Sequence, residues 1–274
     1  MAEKEFAPND GKKIIIKTPD GTCYQRFPIK TKVVVKGDNL TEILNECVKP
    51  YLQKGDMVYM SEKIVAISQG RSFPIDEIKP SWLAKVLSKC VYKSPYGIGL
   101  GSPWTMQLAI MECGPVRIIF CAAIAGICKL FGKRGVFYNM LGARVRAIDG
   151  PCHFTLPPYN THAKLAPAQP NKVAKELTDA MGGCPVIIID ANDIGVNILG
   201  KPDKKMDEDK LAAVFKDNPL GQESQQTPIA IVRKISQAEA DAALAQAAAD
   251  AVKEKAEEIK EAASEKAEEE SSEQ

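Results

Sequence analysis

The chain has 274 residues, 45% hydrophobic and 26% charged, which is ordinary for a globular protein of one large or two small domains. Its eight scattered cysteines lack a Cys-x-x-Cys pair and no N-terminal signal pattern is present, so a cytoplasmic protein with reduced thiols is expected rather than a disulfide or metal-clip protein. Residues 237–274 contain 12 acidic and 4 basic residues, a charge of −8, which leaves +9 for residues 1–236. This basic body favours an anionic ligand such as a nucleotide, whereas no basic stripe with interleaved aromatics predicts nucleic-acid binding.

The first part of the chain alternates strand and helix signals. Residues 12–36 predict two or three antiparallel strands, because short apolar runs stand between turn residues. Residues 37–52 then predict a helix, residues 57–67 a strand or strand pair, and residues 80–90 another helix.

The middle of the chain is rich in apolar helix formers. A helix is predicted over Trp104–Met111, and a second over Ile118–Cys128, whose composition is wholly apolar. This second run is too short to span a bilayer, so it predicts a buried helix and no membrane partner. Residues 136–148 predict an extended segment, which Asp149-Gly150-Pro151 ends.

The last elements of the body are a helix over residues 171–181, a strand that begins near Val186, and a closing strand over residues 227–233. Ser236 and Glu239 then form a capping-box pattern, which begins a helix rich in Ala, Glu and Lys. Because this tail has few large apolar residues, it is expected to be solvated or disordered. The predicted domains are therefore residues 1–236 and an acidic tail, residues 237–274.

The strand near Val186 ends on carboxylates, at Asp190 and Asp193. Strands covered on both faces often carry ligands and metals at their carboxyl ends, so this end is a candidate site. A simple Asx-turn that leaves the strand would use the same residue types and is the alternative explanation.

Several segments, in order, resemble the coenzyme F-420-0:L-glutamate ligase family, whose enzymes use GTP to join glutamate to a carboxylate of a flavin-like cofactor. The longest runs from Gly55-Asp56 through Ser61-Glu62-Lys63-Ile-Val to Gly70-Arg71. The other similar segments are Lys36–Leu40, Ala147–Asp149, Thr155–Pro158, the strand to Asp190, Leu220–Glu223 and Pro228–Arg233.

The resemblance implies an α+β fold with a mixed sheet and flanking helices, and a homodimeric ligase that forms C–N bonds. It would add an amino acid, L-glutamate by analogy, to a small-molecule carboxylate, with GTP or ATP as co-substrate and Mg²⁺ or Mn²⁺ as cofactor. The metal residues that it implies are Asp149, Asp190 and Asp193. The nucleotide residues that it implies are Ser61, Glu62, Lys63, Arg71, Gly221, Gln222 and Glu223.

The chain also departs from the family pattern. Gly150-Pro151-Cys152 and Asp193–Val196 replace polar family residues that follow the two metal aspartates, and Ile67 replaces a common lysine. A non-catalytic homologue that binds nucleotide or metal, with a regulatory or scaffold role, is therefore the alternative.

In a catalytic protein, the cations for the transferred phosphoryl group would be Lys63, Arg71, Arg144 and Arg146. Glu112 is expected on a helix surface.

Overall fold

The computed structural model of the chain describes residues 6–91, 99–152, 155–192, 195–221 and 225–246. The strands are β1 (Ile15–Lys17), β2 (Cys23–Ile29), β3 (Met57–Ser61), β4 (Ser72–Pro74), β5 (His162–Lys164), β6 (Val186–Asn192), β7 (Gly195–Gly200) and β8 (Ile229–Ile235). The helices are α1 (Leu40–Cys47), α2 (Glu62–Ser68), α3 (Trp82–Cys90), α4 (Pro103–Cys113), α5 (Pro115–Leu130), α6 (Val136–Leu141), α7 (Ala143–Arg146), α8 (Pro170–Ala180), α9 (Glu208–Ala213) and α10, described over residues 237–246. The predicted α+β class with a mixed sheet is confirmed.

One six-stranded sheet has the order β1-β2-β8-β3-β6-β7, and β3 and β6 run parallel within it. Its central strands are apolar on both faces, because alternate side chains enter different clusters. In β6, Val186 and Ile188 pack with α1 and α8, whereas Ile187 and Ile189 pack with α9 and Phe215. With helices on both faces, this sheet and α1, α2, α8 and α9 form the sheet lobe.

The segment between α2 and α8 forms the second region, which we name the helical lobe. It comprises α3 to α7 and the two-stranded sheet of β4 and β5, and it has its own apolar cluster. Trp104 in α4 packs against that cluster, while Trp82 at the start of α3 is 77% exposed.

Helix α5 was expected to be buried, and that expectation is wrong for most of its length. Ile118 and Cys121 are buried, but Val116, Phe120 and Leu130 lie on an exposed face. In the described residues no single helix is long and apolar enough to cross a membrane, although α4 and α5 together reach that length across a bend of 114°.

Two predicted extended segments contain helices. The apolar run of residues 57–67 is strand only to Ser61, whose hydroxyl accepts a hydrogen bond from Lys63 N and caps α2. Residues 136–148 form α6 and α7, separated by Gly142 with φ +86°. Residues 33–35 are also not a strand, whereas β1 and β2 pair antiparallel as predicted.

Arg26 of β2 is fully buried and ties the sheet to the segment after α9. Its guanidinium donates to both carboxylate oxygens of Asp217, to Val214 O at 3.0 Å and to Lys13 O at 2.5 Å. The Asp217 side chain remains 37% exposed. Burial alone would raise the pKa of Asp217, but the Arg26 hydrogen bonds and charge outweigh it and lower the pKa.

The predicted capping box at the start of α10 is present, since Glu239 N donates to Ser236 Oγ and Ser236 N donates to Glu239 Oε2. Ala240 is buried, so the first turns of the predicted tail pack on the body. Residues 247–274 lie outside the described residues, and the division at residue 236 stays a prediction.

Candidate functional site

The candidate site lies where the parallel pairing of β3 with β6 ends. Ser61 pairs with Ile189, so Glu62 and Asp190 follow directly at neighbouring positions of the two strands. The carboxyl ends of parallel strands meet at one edge of a sheet, and in open α/β sheets that edge is where ligands commonly bind. Two acidic side chains are therefore placed at this edge by strand register alone.

Lys164, at the end of β5, brings the helical lobe to the same edge. Its ammonium forms an ion pair with the Glu62 carboxylate and donates to Ala147 O at 3.2 Å. The Lys164 side chain is 9% exposed and that of Glu62 4%. This buried pair connects the start of α2 with a residue about a hundred positions later, so it fixes the two lobes against each other at the site.

Asp149 is held beside Lys164 by the backbone. The two residues form an antiparallel bridge, with Asp149 N donating to Lys164 O at 3.1 Å and Lys164 N donating to Asp149 O at 2.9 Å. Directly opposite residues of such a pair carry their side chains on the same side. The Asp149 carboxylate also accepts a hydrogen bond from Gly150 N at 3.1 Å.

The charges of this cluster influence one another strongly. Burial raises the pKa of the Glu62 carboxyl above its ordinary value, while the Lys164 charge opposes that effect. Burial acts to lower the pKa of the Lys164 ammonium, but the charges of Glu62, Asp149 and Asp190 outweigh it, and the pKa is raised. Lys164 is therefore a cation at neutral pH.

Of the three predicted metal residues, Asp149 is bridged to Lys164, and Asp190 stands next to Glu62 by strand register. Because Glu62 and Lys164 form an ion pair, the two aspartates lie on either side of that pair. Asp193 lies outside the described residues. Within the part of the chain that is described, no group of three His, Cys, Asp or Glu side chains could hold a metal ion by itself. A cation at this edge would therefore need further ligands from a bound molecule.

The predicted nucleotide residues have different surroundings. Ser61 caps α2, Glu62 is buried in the ion pair, and Lys63 is half-buried at the same helix start. Arg71 donates from Nε to Ala166 O at 2.6 Å and from Nη2 to Glu112 at 2.8 Å. Arg71 is thus engaged in contacts with the protein.

The loop predicted to close over a nucleotide begins at Gly221. This glycine has φ +73°, a left-handed conformation that is strained for residues with a side chain and therefore favours glycine. The segment after the loop reaches the site, because Ser61 N donates to Pro228 O at 2.8 Å. The predicted residues Gln222 and Glu223 lie outside the described residues.

Sequence reasoning missed Lys164 and misplaced Glu112. The Glu112 side chain is 10% exposed and accepts hydrogen bonds from Arg71 and Arg144, so it is a partly buried counterion and not a free surface carboxylate. The available signal for Lys164 was a single charge within the apolar run His162-Ala-Lys-Leu-Ala166, since a buried lysine requires a partner.

Comparison with known proteins relates part of this chain to one family. The sequence profile of the F420-0:Gamma-glutamyl ligase family matches residues 28–140, which include β3, α2 and Glu62. An uncharacterized protein of Methanocaldococcus jannaschii is 36% identical over 73 residues, 26% of this chain and 24% of that protein. Residues 28–140 thus resemble the gamma-glutamyl ligase family, and the predicted resemblance is confirmed over this part of the chain. The aligned segment spans about a quarter of that relative's length.

Proposed function

We propose that this protein is a nucleotide- and divalent-metal-dependent amide ligase that adds an amino acid, L-glutamate, to a carboxylate of a cofactor or small metabolite. The observation that carries the proposal is the cluster of Glu62, Lys164, Asp149 and Asp190 at the carboxyl edge of β3 and β6. The family match covers the strand and helix start that supply Glu62. By the same analogy we propose a homodimer, and from the scattered cysteines a location in the cytoplasm.

Two carboxylates fit a Mg²⁺ or Mn²⁺ ion that arrives with a nucleotide. Mg²⁺ is usually held by one or two carboxylates together with substrate phosphates and water, rather than by a complete protein cage. Asp149 and Asp190 would hold the ion, with Asp193 a further proposed ligand. The ion would supply positive charge that neutralises the phosphate oxygens during transfer.

The remaining chemistry requires orientation and charge from the chain. The terminal phosphoryl group of the nucleotide would pass to the substrate carboxylate, which releases the nucleoside diphosphate and forms an acyl phosphate. The amino group of the second substrate would then attack the acyl carbon, losing a proton as inorganic phosphate leaves. The proposed cations for the transferred group are Lys164, which pairs with Glu62, and Lys63, which follows Glu62 in α2.

The residues that the family resemblance assigns to the nucleotide site are Ser61, Glu62, Lys63, Arg71, Gly221, Gln222 and Glu223. Among these, Ser61 and Lys63 lie at the start of α2, beside Pro228 at the end of the loop. Glu62 and Arg71 already have protein partners, so we propose that they shape the site rather than contact phosphate directly. Residues 237–274 have no proposed role in the site.

A second function is supported by the contacts of Arg71. Because Glu112 engages both Arg71 and Arg144, two of the four predicted cations are paired within the protein. A binding protein without transfer activity would keep the carboxylate cluster and not require these arginines. We therefore keep a nucleotide- or metal-binding regulatory role as the alternative.

The test is thermal unfolding with GTP or ATP and Mn²⁺ or Mg²⁺, followed by an assay of phosphate release with L-glutamate and candidate carboxylates. A ligand at a hundredfold excess over its Kd stabilises the folded state by about 2.7 kcal/mol, which is readily measured. Asp190→Asn should remove the metal-dependent part of this shift, whereas Asp76→Asn, at an exposed position, should leave it unchanged. No shift with either nucleotide would refute the ligase and leave the non-catalytic role as the better account, and binding without phosphate release would also favour that alternative.

A further inference from the structure

One side of α5 carries exposed apolar side chains along its whole length, which we name the α5 stripe. Its members recur at helical intervals and so lie on one face: Val116, Ile119, Phe120, Ile127, Leu130 and, directly after the helix, Phe131. The opposite face carries Ile118 and Cys121, which are buried in the helical lobe. Leu130 is 85% exposed and Phe131 79%. A large apolar patch of this kind marks a surface that binds another molecule.

Basic residues surround the C-terminal end of the α5 stripe. Lys129, Lys133 and Arg134 are exposed and adjoin Leu130 and Phe131 in the chain. None of these three cations forms an ion pair with another of the described residues. Residues 113–148 contain six basic residues and no acidic residue. Apolar side chains framed by Lys and Arg are typical of helices that bind the interface of anionic membranes.

The same charges distinguish a membrane from a second copy of the chain as the occupant of this face. A twofold contact between two copies of the α5 stripe would bring basic residues of one chain towards those of the other. The segment supplies no acidic side chain to pair with them. Anionic lipid headgroups complement these charges, and the acyl chains beneath them take up the apolar side chains.

The packing of α5 fits a helix that lies on a membrane rather than one that crosses it. The helix has 16 residues, fewer than the about 20 that a bilayer requires. Its buried face packs against the helical lobe, so lipid could contact only the α5 stripe. The preceding helix α4 turns away from it at a bend of 114°.

We propose that the α5 stripe and its basic end bind the surface of an anionic lipid bilayer, with Leu130 and Phe131 inserted below the headgroups. The sequence predicted no membrane partner because α5 was expected to be buried, and the exposed stripe removes that reason. The inference goes beyond the proposed function and is independent of it, since it uses no residue of the candidate site.

The experiment is co-sedimentation of the full-length protein with lipid vesicles, without nucleotide or metal. One set of vesicles contains phosphatidylcholine alone, and the other contains equal parts of phosphatidylcholine and phosphatidylglycerol. Wild-type protein should bind the phosphatidylglycerol vesicles more strongly, by about tenfold or more, because two or three basic residues lie near the charged surface. Added NaCl should weaken this binding, because salt screens the charges.

Two double variants separate the apolar contribution from the electrostatic one. Leu130→Ser with Phe131→Ser should lower binding to the phosphatidylglycerol vesicles by about tenfold or more, because two inserted side chains are lost. Lys133→Gln with Arg134→Gln should lower it by about tenfold and remove most of its dependence on NaCl.

The matched controls change exposed residues of the same kinds outside the helical lobe. Leu244→Ser removes an exposed apolar side chain of α10, and Lys172→Gln with Lys175→Gln removes two exposed charges of α8. Both controls should bind the vesicles as wild type does.

Circular dichroism would first establish that each variant is folded, and Phe120→Ser provides a second apolar change on the stripe if the double variant does not fold. Absence of wild-type binding to either vesicle, or equal binding by wild type and a folded stripe variant, would overturn the proposal. Light scattering would detect the competing occupant. A dimeric wild type and a monomeric stripe variant, neither of which binds vesicles, would show that a second copy covers the stripe and that the membrane proposal is wrong.

Discussion

We predict that removing Asp217 from its ion pair with the buried Arg26 lowers the free energy of unfolding more than removing Arg26 does. Asp217→Ala leaves a fully buried arginine with only two backbone carbonyls, those of Lys13 and Val214, as acceptors. Loss of one partner of a buried pair costs about 3 to 5 kcal/mol, and because Asp217 is partly exposed we reduce this to about 2 to 3 kcal/mol. Arg26→Met leaves Asp217 free to hydrate, and we expect a smaller loss, about 1 to 2 kcal/mol.

Urea unfolding followed by far-UV circular dichroism would measure these differences. For a protein of this size, a loss of about 2 to 3 kcal/mol lowers Tm by roughly 4 to 12 °C. Since the folded pKa of Asp217 is lowered, its contribution is present above the unfolded pKa of 3.8 and is lost as pH falls through the folded value. The difference between wild type and Asp217→Ala should therefore shrink in acid. If Arg26→Met were the more destabilising variant, the carbonyl contacts and not the charge would dominate, and this reasoning would be wrong.

Two further predictions compare residues of the same kind in different surroundings. Ile118→Ala should destabilise the protein by about 2 to 4 kcal/mol because the side chain is fully buried, whereas Phe120→Ser, at a position 60% exposed on the same helix, should change the free energy of unfolding by less than about 0.5 kcal/mol. Burial raises the pKa of the Cys184 thiol to about 11, so this thiol should be alkylated at neutral pH much more slowly than that of the exposed Cys90. Mass spectrometry of the peptides would measure the two rates, and equal rates would show that Cys184 is accessible.

The parts of the fold that could be predicted from sequence are those with a local cause. The continuous apolar runs that begin at Val186 and Ile229 became the central strands, because both faces of the sheet are covered. Residues 57–67 were predicted as strand throughout, because the buried helix α2 is apolar on nearly all sides and shows no helical period. Residues 136–148 were predicted as extended, because Gly142 separates two helices that are each too short to show a helical period in the sequence.

The candidate site could be predicted only in part, for a related reason. Asp190 was identified from the strand that it ends, and Asp149 and Glu62 through the family resemblance. Lys164 has partners at Glu62 and Ala147, far away in the sequence, and no local pattern encodes that meeting. Long-range ion pairs of this kind depend on how the two lobes pack.

The positions of the two tryptophans have a consequence for spectroscopy. Trp82 and Trp104, the only tryptophans in the sequence, both belong to the helical lobe. In the sheet lobe, Tyr59 stacks on Phe215 at a centroid distance of 4.2 Å. Tryptophan fluorescence therefore reports on the helical lobe alone. If its melting curve coincides with that of the far-UV circular dichroism, the two lobes unfold as a single cooperative unit.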